Sequence, residues 1–212
     1  MCFTTPLYRH SLMIVSLALT TLLSQSLSAQ RVRIRLEATN EFYEPVSEIA
    51  VGDSFNLRAY AEDLRNESRG VFAAYMDIVY DPDLVEVGGA PVFSEFFPNG
   101  PTGDFASRGR IEDIGAFGEI SVPNQSKLVL FDLPMQALAA GHPTLLPTAG
   151  GDPPMTDILV HGENPPIPVG QVEFVGSTFV VVPEPAAGCL CLSAVILLFV
   201  TRRGVRVAST RA

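Results

Sequence analysis

The chain has 212 residues, with 17 Gly, 17 Pro, 3 Cys and no Trp. All 23 acidic residues lie between Glu37 and Glu184, accompanied by only nine of the 14 basic ones, Arg31 to Lys127, so the central segment carries a net charge of −14. That balance excludes the basic face nucleic acid requires, and with Cys2, Cys189 and Cys191 all near the ends it excludes a disulfide framework in between.

The first 29 residues read as a secretory signal peptide. Arg9 and His10 precede the apolar run Leu12–Leu23, and small residues follow at Ser26, Ser28 and Ala29. Gln30, not Cys, follows Ala29, which argues against a lipoprotein.

Residues 30–182 are expected to form one domain. Val32, Ile34, Leu36 and Ala38 alternate with Arg31, Arg33, Arg35 and Glu37, which predicts a half-buried strand whose arginine row is its wet face. Glu41–Glu48 is acidic, holds Pro45 and reads as a loop or edge. A turn at Val51-Gly-Asp-Ser introduces a second alternating strand through Phe55, Leu57, Ala59 and Ala61. Gly70–Tyr80 is apolar on both faces, which predicts a strand central to its sheet. Asp81-Pro82-Asp83 stops it, because Pro82 lacks a ladder donor and Asp side chains satisfy turn amides. Leu84 and Val87 begin the next element.

Phe93–Gly118 departs from this strand series. Phe93, Phe96, Phe97, Phe105 and Phe117 are interleaved with Pro and Gly. The rings are read as a cap on an open end of the fold; Phe93, Phe96, Phe97 and Phe105 are also a candidate sugar-stacking surface. Gly141–Pro168 reads as irregular, with one short strand at Asp157–Val160.

Several patches resemble cohesin-like and related carbohydrate-binding-module-like β-sandwiches. They are Gly52-Asp53 before a strand, Tyr80-Asp81-Pro82 with Leu84 and Val87 after it, and Leu128–Leu133 with Ala139-Ala-Gly141 and Thr144-Leu-Leu. Val172–Val182 closes the set, with Gly176-Ser177 resembling a tight turn before the last strand. The resemblance implies an all-β fold, a single antiparallel β-sandwich of cohesin-like jelly-roll form. It identifies no partner surface.

The densest carboxylate group is Asp77, Asp81, Asp83 and Glu86. Calcium takes six to eight oxygen ligands, roughly, and sandwich loops can supply them, so Asp77, Asp81 and Asp83 are weak calcium candidates; the spacing does not fit an EF-hand. As turn caps and solvated charges they need no metal, and no cofactor is expected. No catalytic constellation stands out. His142 and His161 lack a nearby ligand cluster, no Gly-x-Ser-x-Gly elbow occurs, and the central segment has no Cys.

The tail has three consecutive parts. Pro183-Glu184-Pro185 is followed by the uncharged run Ala186–Val200 and then by Arg202, Arg203 and Arg206. Read as a transmembrane helix over 186–201, the apolar run is roughly 22 Å long at about 1.5 Å per residue. That is short against a bilayer core of about 30 Å. The arginines would hold its far end on the cytoplasmic side. The tail resembles the PEP-CTERM sorting signal of Gram-negative and related envelope-forming bacteria, on Pro183, Glu184, Pro185, the apolar run and Arg202-Arg203. The resemblance implies anchoring in the membrane, processing by an exosortase-like enzyme near the triplet, and release outward, often towards exopolysaccharide. A plain single-span anchor is the other reading of 183–212.

The expectation is therefore a non-enzymatic exported protein of the bacterial cell surface or extracellular matrix, its partners the membrane, an exosortase-like enzyme, and exopolysaccharide or another surface protein. An alternative is an exopolysaccharide-binding module; a third is a glycan-active enzyme.

Overall fold

A computed structural model describes residues 29–151 and 157–184. The predicted signal segment up to residue 28 and the predicted membrane helix over 186–201 lie outside those residues, and no described helix is long and apolar enough to cross a membrane.

The described residues build β1 (Val32–Thr39), β2 (Glu48–Ala50), β3 (Ser54–Asp63), β4 (Val71–Val79), β5 (Val85–Val87), β6 (Val92–Phe93) and β7 (Asn99–Asp104). They continue with β8 (Arg110–Phe117), β9 (Lys127–Ala137), β10 (Thr144–Thr148), β11 (Leu159–Val160), β12 (Val172–Val175), β13 (Ser177–Thr178) and β14 (Val180–Val182). One sheet runs β12-β1-β3-β9-β5, with β6 also on β9. The facing sheet runs β13-β10-β4-β8-β7, with β11 also on β4. A two-stranded ribbon, β14-β2, closes one end.

Period-2 alternation makes the sandwich. Val32, Ile34, Leu36 and Ala38 of β1, with Phe55, Leu57, Ala59 and Ala61 of β3, turn one apolar face inward, and all eight are buried. From the other sheet Ala74, Met76, Ile78, Ile111, Ile114 and Leu145 join the same core. β4 lies central, between β10 and β8, and its second face is covered too: Tyr75 and Asp77 are 8% and 1% exposed. The arginine row of β1 is not simply wet. Arg33 pairs with Glu173 at 2.9 Å and Glu62 at 3.2 Å, and Arg35 with Glu37 at 2.8 Å, so the row is a half-buried ion-pair ladder.

Three further expectations need correction. The sandwich is not wholly antiparallel, because β12 runs parallel to β1 and β14 parallel to β2. Gly176-Ser177 is not a tight turn. The chain there crosses between sheets, from β12 beside β1 to β13 beside β10. A Cβ at Gly176 would stand 2.6 Å from the Leu145 carbonyl oxygen, so only glycine passes that crossing without displacement. Finally, much of Phe93–Gly118 is a hairpin, β7-β8, rather than loop. β7 hides in the sequence because it is an edge strand, where Pro101 and two glycines are tolerated and no apolar alternation is needed.

Candidate functional site

The four candidate stacking phenylalanines do not share one exposed surface. Phe97 is fully buried and offers nothing to a ligand. Phe93 meets Phe131 edge to face at 5.6 Å, and both Phe93 and Phe96 pack half-buried against the core. The inward fold of this segment is set locally: Phe97 N donates to Ser94 O at 3.0 Å, while β6 binds β9. Only Phe105, on the β7-β8 hairpin, keeps a substantial exposed face, at 38%.

The calcium candidates do not converge either. Asp77 sits on β4 and accepts from Arg110 Nη2 at 2.6 Å and from Asp113 N at 2.9 Å. Asp81 accepts from the Asp83 amide at 2.9 Å, a turn cap before Pro82, and exposed Asp83 accepts from Arg108 at 2.9 Å. Among the described residues no three His, Cys, Asp or Glu side chains are grouped to hold a metal ion. Of the sorting residues, Pro183 and Glu184 are exposed and directly follow β14, whereas Pro185, Arg202 and Arg203 lie outside the described residues.

Two constructions not anticipated from sequence dominate the polar surface. The first is at the sandwich end where β1 begins and β3 finishes. Asp63 is buried and accepts from Arg65 Nε at 2.8 Å and Arg65 Nη2 at 2.7 Å, and from the amides of Arg65, Arg69 and Gly70. Burial works to raise its pKa, but these bonds outweigh burial and hold it down at about 2. Arg65 also binds Glu163 at 2.6 Å, and Arg31 binds the same carboxylate, so three distant segments are tied together. The two arginines hold Glu163 below its ordinary range. Beside this clamp His161 packs edge-on to Phe72 at 5.3 Å. Burial, and then Arg65, push its pKa down, so it is neutral at physiological pH. An open cleft of about 610 Å³ adjoins it, lined by Arg69, Phe72, Ile120, Val122, Leu159 and His161, with Ile120 93% exposed. Both carboxylates of the clamp, Asp63 and Glu163, are occupied by arginine.

The second construction is the turn after β1. Asn40 Oδ1 accepts from the amides of Phe42 and Glu44, both at 2.9 Å, and Asn40 N donates to Glu44 O at 2.9 Å. Tyr43 adopts φ 63°, uncommon for a bulky residue. Its ring lies 3.9 Å from Arg58 Cζ, and Arg58 is fixed by two bonds to Asp132 at 2.7 and 2.8 Å. The turn is thus held rigid while it presents Phe42, 73% exposed, and Tyr43, 50% exposed. The one sequence signal for it is Asn40 at the head of the acidic loop, a residue that caps amides two and four positions on.

No family model and no curated protein matches the chain. Solved structures of cohesins do. The seventh ScaB type I cohesin from Pseudobacteroides cellulosolvens is 13% identical, covering 74% of this chain and 95% of that one, with a TM-score of 0.54. The cohesin module of a Clostridium perfringens family 33 glycoside hydrolase is 13% identical over 74% of this chain and 100% of that one, at TM-score 0.50. CaCohA2, solved in complex with CaDoc0917, is 15% identical over 71% of this chain and 99% of that one, at TM-score 0.51. At these identities the likeness establishes the fold: a cohesin-like β-sandwich.

Proposed function

We propose that the chain is an exported, non-enzymatic protein of the bacterial envelope, whose cohesin-like sandwich is a binding or structural module delivered by an exosortase-type sorting tail. The tail holds it in the membrane before processing; afterwards it resides on the outer surface or in the extracellular matrix. The carrying observation is the order of parts: a sandwich ending at Val182, with a signal-peptide pattern before it and Pro183-Glu184-Pro185, an apolar run and arginines after it. The cohesin-like fold supports another surface protein as the partner, since one similar structure was solved with CaDoc0917 bound. Expression in a host that carries an exosortase-type enzyme tests the reading. The expected product is the sandwich in the outer fraction without residues 186–212. Outer-fraction protein that kept those residues would refute delivery by cleavage, and cytoplasmic retention would refute export.

A second reading, polysaccharide binding, draws support from the rigid Phe42–Tyr43 turn rather than from Phe93–Phe105. Retardation in affinity electrophoresis against exopolysaccharide, lost in Phe42→Ala/Tyr43→Ala, would favour it. Equal mobility of both proteins with and without the polymer would reject it.

A further inference from the structure

The last strand of the sandwich is held on both edges. On one edge β14 pairs in parallel with β2, where Val180 N donates to Ser47 O at 3.0 Å and Val51 N to Val182 O at 2.9 Å. On the other edge Val181 exchanges two backbone bonds with Gly141, at 2.8 and 3.0 Å. The Val181 side chain is 2% exposed, and neighbouring Phe179 packs edge-on to Phe55 at 5.0 Å. The hold ends with β14: Pro183 has no N–H to give, and both Pro183 and Glu184 are exposed. The Glu184 carboxylate rests beside the β2-β3 turn, where a Cβ at Gly52 would come 3.2 Å from Oε1. An enzyme that takes a peptide as an extended strand needs its backbone groups free. Those of Val180–Val182 are engaged.

We infer that β14 sets the amino-terminal limit of processing: with Val182 still paired, the two residues before the cut are Pro183 and Glu184 or later ones, so the bond cut is Glu184–Pro185 or one beyond it, and a cut at Glu184–Pro185 leaves the new carboxyl terminus beside the Gly52 turn. The inference rests on the sorting-tail reading. In the step, the C–N bond of that peptide breaks. The carbonyl carbon bonds to the oxygen of water, or to the oxygen or nitrogen of an envelope hydroxyl or amine, and the proton of that nucleophile leaves on the nitrogen of the released tail.

Intact-mass analysis of the full-length chain after processing, recovered from the outer fraction, tests this. The expected carboxyl-terminal residue is Glu184 or a later one. A terminus at Pro183 or earlier would overturn the inference while leaving delivery by cleavage standing; a chain still carrying 186–212 would overturn both. A mass equal to the free acid identifies water as the acceptor, and a larger one an envelope nucleophile; both agree with the inference. Hydrogen exchange on the unprocessed chain gives an independent reading. The Val181 amide is expected among the slowest-exchanging, and exchange there at the rate of unstructured peptide would remove the premise.

Discussion

Asp63 is where one side chain does most to organise an end of the sandwich. Its pKa of about 2 in the folded chain lies below the value of roughly 3.9 for a free Asp. A carboxyl depressed by folding stabilises the fold above its unfolded pKa, and that contribution is lost as pH falls from about 4 towards 2, on the order of 2 kcal/mol in all. His161 acts in the same direction at higher pH. Its folded pKa is lowered, so its contribution is complete above about 6.5 and declines as acid charges the ring in the unfolded chain. Asp63→Asn should therefore cost about 2–3 kcal/mol at pH 7, since it removes one of the two carboxylate partners of half-buried Arg65 and weakens three amide bonds. The variant should also lose less stability than wild type between pH 4.5 and 2.5. Urea melts at three pH values measure both; an unchanged acid slope would mean that other carboxylates carry it. Gly115 is the other residue on which much depends. A Cβ there would stand 2.1 Å from the Ala74 carbonyl oxygen and 2.5 Å from the Tyr75 ring. Gly115→Ala must push β8 off β4 and should cost roughly 2–4 kcal/mol, readable as a fall in Tm.

At the scale of elements, what could be foreseen follows from how each strand meets its neighbours. β1 and β3 have one face in the core and one outside, so alternation marks them from residue 32 to residue 61. β4 is covered on both faces and reads as a doubly apolar run. β7 escapes because an edge strand with mostly exposed residues places no demand on its sequence beyond its bonds to β8. The Asp63 clamp escapes for another reason. Arg31 and Glu163 are 132 residues apart, and nothing local to either marks the other as its partner. The crossing at Gly176 was visible as a glycine but not as a crossing, because a parallel return beside β1 depends on the second sheet being in place. Gly176→Val tests that assignment. Its side chain would collide with the Leu145 carbonyl and the Leu146 side chain, 2.6 and 2.8 Å from Cβ. A loss of at least 2 kcal/mol, roughly, is expected. A neutral variant would fit the tight turn that the sequence suggested.

For the whole molecule, the decisive feature is that the chain enters and leaves at opposite ends. Arg31 N binds Gln171 O and Arg31 O takes the Leu64 amide, beside the Asp63 clamp. Glu184 rests at the Gly52 turn, past the start of β3. β1 spans that distance with 8 residues, about 26 Å at roughly 3.3 Å per residue. A sandwich tethered through its carboxyl end would therefore hold the Gly52 turn near the tether and turn the clamp, Ile120 and the adjoining cleft outward. In such an arrangement β14 would connect the fold to the tether, and truncation can measure what it carries. Chains ending at Glu184 and at Phe179 differ by β14 and the two residues after it. The first should unfold cooperatively with the stability of the longer protein, because every described contact of the sandwich is kept. The second loses the bonds to Ser47, Val51 and Gly141 and the burial of Val181, uncovering Ile49 as well. Removing one buried valine alone costs about 1.5–3 kcal/mol, and β2 then has no strand partner, so a fall of about 3 kcal/mol or more is expected in chemical denaturation. If both chains melted alike, β14 would be an appendage, and a pull on the tether would not reach the core.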